Sequence, residues 1–120
     1  MNTFAIKLST ALLALALASS ATSARAEPDK KTVRLWKAKC AACHGAEGKG
    51  DTEKGQKMGV ADLTAAAWQT EMTDAKMKEA IGKGLKREKN GKKQEMEAYK
   101  DKLQPAEIDT LIGFMRSLKK

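Results

Sequence analysis

Five consecutive positions constrain this chain more than all the others: Cys40-Ala41-Ala42-Cys43-His44. Cys40 and Cys43 are its only cysteines and His44 is its only histidine. Residues three apart share a face of a helix, so the two thiols can reach one edge of the same flat partner. The imidazole that follows can then point at that partner's centre. A Cys-x-x-Cys-His run is the attachment signature of c-type haem, in which the thiols add across two vinyl groups and the histidine is the proximal iron ligand. The expected cofactor is one haem c, attached covalently through Cys40 and Cys43, with His44 on the iron.

Three other chemistries use part of this pattern. A thioredoxin-like dithiol needs a βαβ context, and no segment of the chain reads as a strand. A structural zinc site needs about four ligands from spaced pairs, whereas the chain offers three, with His44 badly placed to share a metal with Cys43. A simple Cys40–Cys43 disulfide fits a processing intermediate.

The N-terminus bears on compartment. Residues 1–26 read as a secretory signal peptide: Lys7 supplies the positive start, a Leu/Ala-rich run follows, and Ala24-Arg25-Ala26 is a small-residue cleavage site. The apolar run is about eleven residues long, well short of the ~20 that span a bilayer. Cleavage after Ala26 and a periplasmic location are expected, with no stable membrane insertion afterwards. The domain expected at 27–120 has 94 residues and few aromatics: Trp36, Trp68, Tyr99 and Phe114. A core that sparse suits a chain folded around a large apolar cofactor.

Loss of Lys7 and Arg25 takes the formal charge from +8 to +6. A basic surface can meet nucleic acid, anionic membrane or an acidic protein. Export and the lack of any nucleic-acid motif argue against nucleic acid. Lys86, Arg87, Lys89, Lys92 and Lys93 form the densest cluster, which reads equally as a solvated loop or a docking surface.

Along the chain, Val33, Trp36 and Cys40 at helical spacing predict a helix over 30–43. The glycines at 45, 48, 50, 55 and 59 predict a loop with turns over 45–60. A short helix is expected near 65–69. Thr73-Asp74 is a capping signal for a helix to about residue 81, ended by Gly82 and Gly84. Residues 86–94 read as a polar stretch with an Asn90-Gly91 turn, and 95–103 as irregular or loosely helical. Pro105 opens a last helix with Ile108, Leu111, Ile112, Met115 and Leu118 as its stripe. The expected class is all-α, with about four or five short helices, long loops and no sheet.

The order of segments resembles a class I monohaem cytochrome c, a small soluble bacterial c-type cytochrome. The resemblance rests on Cys40-Ala41-Ala42-Cys43-His44-Gly45, then Gly48-Lys49-Gly50-Asp51, Ala61-Asp62-Leu63-Thr64, Met96-Glu97-Ala98-Tyr99 and the last helix. It implies the cytochrome c fold and a methionine as second axial ligand. Met58, Met72, Met77, Met96 and Met115 are available. Met77 and Met115 fit helix core faces, Met72 and Met58 lie in or near loops, and Met96 falls where the family ligand does. Where the family has proline after that ligand, this chain has Glu97. The resemblance also implies that the Ala61 carbonyl accepts from the other ring nitrogen of His44. It further implies a first-to-last helix contact by Trp36, Leu111 and Phe114, with Thr32 at the family's glycine position and Gly113 restoring close approach. Trp68 and Tyr99 would line the cofactor or pack the core.

The function implied is that of a one-electron carrier, not an enzyme, with His44 and Met96 filling both axial positions. Redox proteins with an acidic docking surface are the implied partners, and the expected state is a monomer. Two alternatives stay open at this level: a five-coordinate haem enzyme or gas-binding sensor, and a haem subunit of a larger oxidoreductase complex.

Overall fold

The computed structural model describes residues 27–120; the expected signal peptide, 1–26, lies outside the described residues. The chain runs α1 (Lys30–Lys39), α2 (Ala41–His44), α3 (Glu53–Met58), α4 (Ala66–Glu71), α5 (Asp74–Lys83), β1 (Leu85–Lys89), β2 (Lys92–Met96) and α6 (Pro105–Ser117).

Capping side chains set the helix starts. The Asp29 carboxylate accepts from Thr32 N at 3.3 Å and opens α1. Thr73 Oγ1 accepts from Lys76 N at 3.2 Å and opens α5, as its sequence signal requires. Pro105 takes the first position of α6, where a missing N–H costs nothing. The Glu107 carboxylate there reaches back to accept from Gln104 N at 3.0 Å. Cys40, with φ −118°, breaks the expected 30–43 helix into α1 and the single turn α2.

The expected loop over 45–60 contains a helix, α3. Thr52 Oγ1 accepts from Gly55 N at 2.9 Å to cap it, and lies 2.9 and 3.1 Å from the Ala42 and Cys43 carbonyls. Gly55 sits against the Cys43 carbonyl so closely that a Cβ would collide with it. That contact, rather than helix propensity, holds α3 beside α2.

The predominantly helical class stands, but the polar stretch 86–94 is paired. β1 and β2 form an antiparallel hairpin with register Leu85↔Met96, Lys86↔Glu95, Arg87↔Gln94, Glu88↔Lys93 and Lys89↔Lys92. Its Asn90-Gly91 turn has φ of 52° and 72°, the doubly left-handed geometry that Asn-Gly favours in two-residue hairpins. Two rungs oppose a lysine to a glutamate, which supports the ladder. The strands carry almost no apolar alternation, so periodicity does not reveal them.

The core gathers between α1, α5 and α6, where Trp36, Met77 and Leu111 are each 1% exposed. Trp36 and Phe114 meet at 5.2 Å between ring centroids, tilted by 52°, within the separation at which aromatic pairs attract. Thr32 is buried. Gly113 is exposed, and a Cβ there would meet nothing within 4 Å. The expected close approach at Gly113 is therefore not made: the residue sits on the outer side of α6. A buried amide ties α4 to α6, with Gln69 Nε2 donating to the Leu63 carbonyl at 2.7 Å and the Met115 carbonyl at 2.9 Å.

Glycine inside a helix costs about 1 kcal/mol relative to alanine. Gly113→Ala should thus stabilise the protein by about 0.5–1 kcal/mol, read as a higher denaturant midpoint with an unchanged slope. A loss of stability would mean that a close contact at Gly113 exists after all.

Candidate cofactor site

The Cys40–His44 turn is fixed by backbone bonds at both ends. His44 N donates to Cys40 O at 3.0 Å, and the His44 carbonyl accepts from Gly50 N at 2.8 Å. From the core side, Trp36 Nε1 donates to the Gly45 carbonyl at 3.0 Å, and its ring lies 5.8 Å from that of His44. Both thiols are free. Burial, and after it the neighbouring Cys43, pushes the Cys40 thiol up to about 11. The raised value favours the protonated thiol over the thiolate. Among the described residues, no three His, Cys, Asp or Glu side chains converge as a metal cluster. Among the described residues the strands form a single antiparallel hairpin, not the βαβ frame of a dithiol oxidoreductase.

Cys40, Cys43 and His44 open onto a cavity of about 550 Å³, within the range of sites that enclose cofactors. Trp36, Leu63, Trp68, Ile81, Tyr99 and Leu111 supply much of its apolar wall. Lys39, Lys54, Arg87 and Lys89 also line it. Burial lowers the pKa of His44, which keeps the imidazole neutral and able to bind a metal.

His44 Nδ1 is buried without a hydrogen-bond partner, alone in this among side-chain nitrogens and oxygens of the described residues; Nε2 is not sealed in this way. The expected bond to the Ala61 carbonyl is therefore not made. The Val60 and Ala61 carbonyls instead close over Gly50, where a Cβ would meet them at 2.7 and 3.3 Å. Two free thiols and a neutral imidazole on the wall of one apolar cavity fit a covalently held haem.

All five methionines of 27–120 line the cavity. Met77 and Met115 are buried in the core, as their helix positions require. Met58 is the last residue of α3, and Met72 caps the end of α4. Met96 ends β2 opposite Leu85 and packs on the core. The chain after Met96 is tied down at several points. Tyr99 N donates to Ile81 O at 2.9 Å, Lys100 N to Gly82 O at 3.1 Å, and Tyr99 Oη to Lys39 O at 3.0 Å. Glu97 is paired with Lys102. Trp68 and Tyr99 both line the cavity, and Tyr99 is also part of the buried core.

Sequence reasoning treated Gly84 only as the end of a helix. At φ +74°, a Cβ there would lie 2.5 Å from Met96 O and 2.9 Å from Ala98 N. Only glycine lets the backbone around Met96 lie against the end of α5. Gln94 is a second residue missed: it is buried, and its Nε2 donates to the Gly59 carbonyl at 2.7 Å. With Lys92 Nζ bonded to Gln56 O at 2.8 Å, it straps the hairpin to the α3 segment.

A small, mainly helical domain folded about a cavity that carries a Cys-x-x-Cys-His turn is the architecture of a c-type haem protein. The chain belongs to the cytochrome c family, whose model matches residues 30–119. Among solved structures it is similar to the KustC0563 c-type cytochrome, with 29% identity and a TM-score of 0.63 over 74% of this chain and 98% of that one. A tyrosine-to-phenylalanine mutant of that cytochrome matches at 28% identity and a TM-score of 0.60, over 73% and 98%. No curated protein matches the chain. The family is one of haem c proteins that transfer electrons to and from redox partners, and this chain carries the cysteines of the attachment motif at 40 and 43.

Burial first, and the Glu97 carboxylate second, raises the Tyr99 pKa well above its ordinary 10. A raised phenol pKa means that the neutral form stabilises the fold fully below pH 10 and that this contribution fades as pH rises further. Tyr99→Phe should cost about 1 kcal/mol at neutral pH through the lost bond to Lys39 O. It should also flatten the fall in stability above pH 10. Identical alkaline profiles for the two proteins would count against the phenol's role.

Proposed function

We propose that this protein is an exported, periplasmic one-electron carrier, working as a monomer through one haem c with His44 and Met96 as axial ligands. The observation that carries the reading is the presence of Cys40, Cys43, His44 and Met96 on the wall of one cavity. The signal-peptide reading of 1–26 supports export. Among the described residues, no helix is long and apolar enough to cross a membrane.

Bound haem supplies one-electron chemistry through its iron. The chain's own residues hold and tune it. The Cys40 and Cys43 thiols would hold it covalently, which would remove dissociation as a route of loss. His44 presents a neutral imidazole, and Met96 a thioether; this pair raises the reduction potential relative to many other ligand sets. The apolar wall further disfavours the more positively charged ferric state. With His44 and Met96 both bound to the iron, the chain would leave no open position there for a substrate. Met96 is preferred over Met58 and Met72 because the backbone on both sides of it is anchored, by the hairpin before it and by Tyr99 and Lys100 after it.

Ferric holoprotein should show the weak far-red band of a sulfur-to-iron charge transfer, and Met96→Ala should abolish it. A band that is unchanged in Met96→Ala, or missing from the parent protein, would overturn the ligand assignment. Carbon monoxide uptake by the ferrous parent at neutral pH would favour a five-coordinate enzyme or sensor instead.

The basic hairpin is the proposed docking surface for an acidic redox partner. Lys86, Arg87, Lys89, Lys92 and Lys93 are all exposed. Opposite charges speed encounter more than they tighten the complex. Electron transfer to an acidic redox protein should slow by roughly tenfold between low and physiological ionic strength. Reversing the lysines at 86 and 93 to glutamate should remove most of that dependence. A rate indifferent to salt would end the docking proposal.

A further inference from the structure

The hairpin beside the cavity has a graded inner face. Alternate residues of a strand share a face, and the cavity-lining residues of β1 are Leu85, Arg87 and Lys89. Their partners across the ladder are Met96, Gln94 and Lys92. From the Met96 end to the turn, this face passes from apolar, through an arginine and an amide, to two lysines.

The middle rung is built in a particular way. Arg87 Nε donates to Gln94 Oε1 at 2.8 Å, and Gln94 Nε2 donates onward to the Gly59 carbonyl at 2.7 Å. Gln94 is 7% exposed, so the guanidinium is oriented by a buried amide engaged at both ends. No carboxylate among the described residues pairs with Arg87. Among the described residues, only its Nε is taken up by a hydrogen bond. Other charged residues line the same cavity: Lys39 from α1, Lys54 from α3, Lys89 nearer the turn, and Glu95 and Glu97 on either side of Met96 in the chain. Glu97 is engaged by Lys102. Of the cavity's cations, Arg87 alone has its head group fixed by a buried side chain. An oriented guanidinium with both Nη groups free and no counter-ion is suited to grip a carboxylate with two parallel hydrogen bonds.

We infer that Arg87, oriented by Gln94, binds a propionate of the haem, and that the β1–β2 hairpin is the element that reads the cofactor's polar edge. This rests on the haem reading given above. The haem combines an apolar ring with two carboxylates, and the hairpin face offers the matching sequence of surfaces. A carboxylate brought to the edge of an apolar cavity loses water and must be compensated. Arg87 supplies the charge, and the amide of Gln94 sets its plane.

The test uses holoprotein and reads the midpoint potential as a function of pH. Propionate ionisation stabilises the ferric state, so the potential falls through the pH range in which the propionate deprotonates. Arg87→Gln and Lys86→Gln each remove one positive charge from β1. Lys86 lies on the opposite face, paired with Glu95. Arg87→Gln should move the inflection to higher pH by about one unit or more, while Lys86→Gln leaves it in place. Arg87→Lys, which keeps the charge but not the fork or the Nε bond, should give a smaller displacement in the same direction. Gln94→Leu should resemble Arg87→Lys. If Arg87→Gln and Lys86→Gln give the same profile, the inference is overturned. If Arg87→Gln does not accumulate with haem, Arg87→Lys decides alone: a displaced inflection supports the inference, and the parent profile overturns it. Failure of the underlying haem reading would show separately, as a parent protein without covalently bound haem.

Discussion

Trp36 joins the core to the site. Its ring is buried against Phe114 where α1 crosses α6, and its Nε1 donates to the Gly45 carbonyl at 3.0 Å. Gly45 follows His44 directly, so the packing of two distant helices fixes the turn that carries both thiols and the imidazole. A buried hydrogen bond nets about 1 kcal/mol. Its larger effect here is to make the turn's position depend on the whole core. Placing the reactive residues on such a turn lowers the reorganisation needed to receive a rigid flat cofactor.

The two sides of the cavity are held differently. The His44 side rests on short-range helix geometry, on Gly55 against the Cys43 carbonyl, and on Thr52 beneath the same turn. The Met96 side is a hairpin strapped across sequence distance, through Gln94 to Gly59 and Lys92 to Gln56. Covalent attachment places its constraint on the first side. The second side holds through packing and hydrogen bonds that are individually small, so local opening should begin there.

What was legible in the sequence follows from the kind of signal each element uses. The Cys-x-x-Cys-His run, the Thr73 cap and Pro105 are local chemistry, and α1, α5 and α6 fall close to where those residues place them. The hairpin shows only its Asn-Gly turn, because its strands carry charge on both faces and its inner face meets a cavity instead of a packed core. Helix α3 was hidden by Gly55, a poor helix former kept for a contact that no local pattern reveals. Gly113 misled in the opposite direction: a mid-helix glycine suggested close packing, but it faces outward. The methionines show a further limit. All five reach the cavity, so lining it does not single out a ligand, and the anchoring of the backbone has to do so.

That anchoring bears on Glu97, which follows the proposed ligand Met96 at the place where the family resemblance puts a stiffening proline. The Glu97–Lys102 pair is exposed, and such a pair is worth at most about 1 kcal/mol. It cannot replace a proline's restriction by itself. The restraint comes instead from groups around it. Gly84 admits the Met96 carbonyl to the end of α5, Tyr99 N and Lys100 N bond to the carbonyls of Ile81 and Gly82, and the Tyr99 phenol bonds to the last residue of α1. These contacts act on the folded state, whereas proline acts largely by narrowing the unfolded ensemble. The chain therefore keeps a fixed backbone at Met96 while giving up the entropic part of the proline's effect. The cost falls on overall stability more than on the geometry of the cavity.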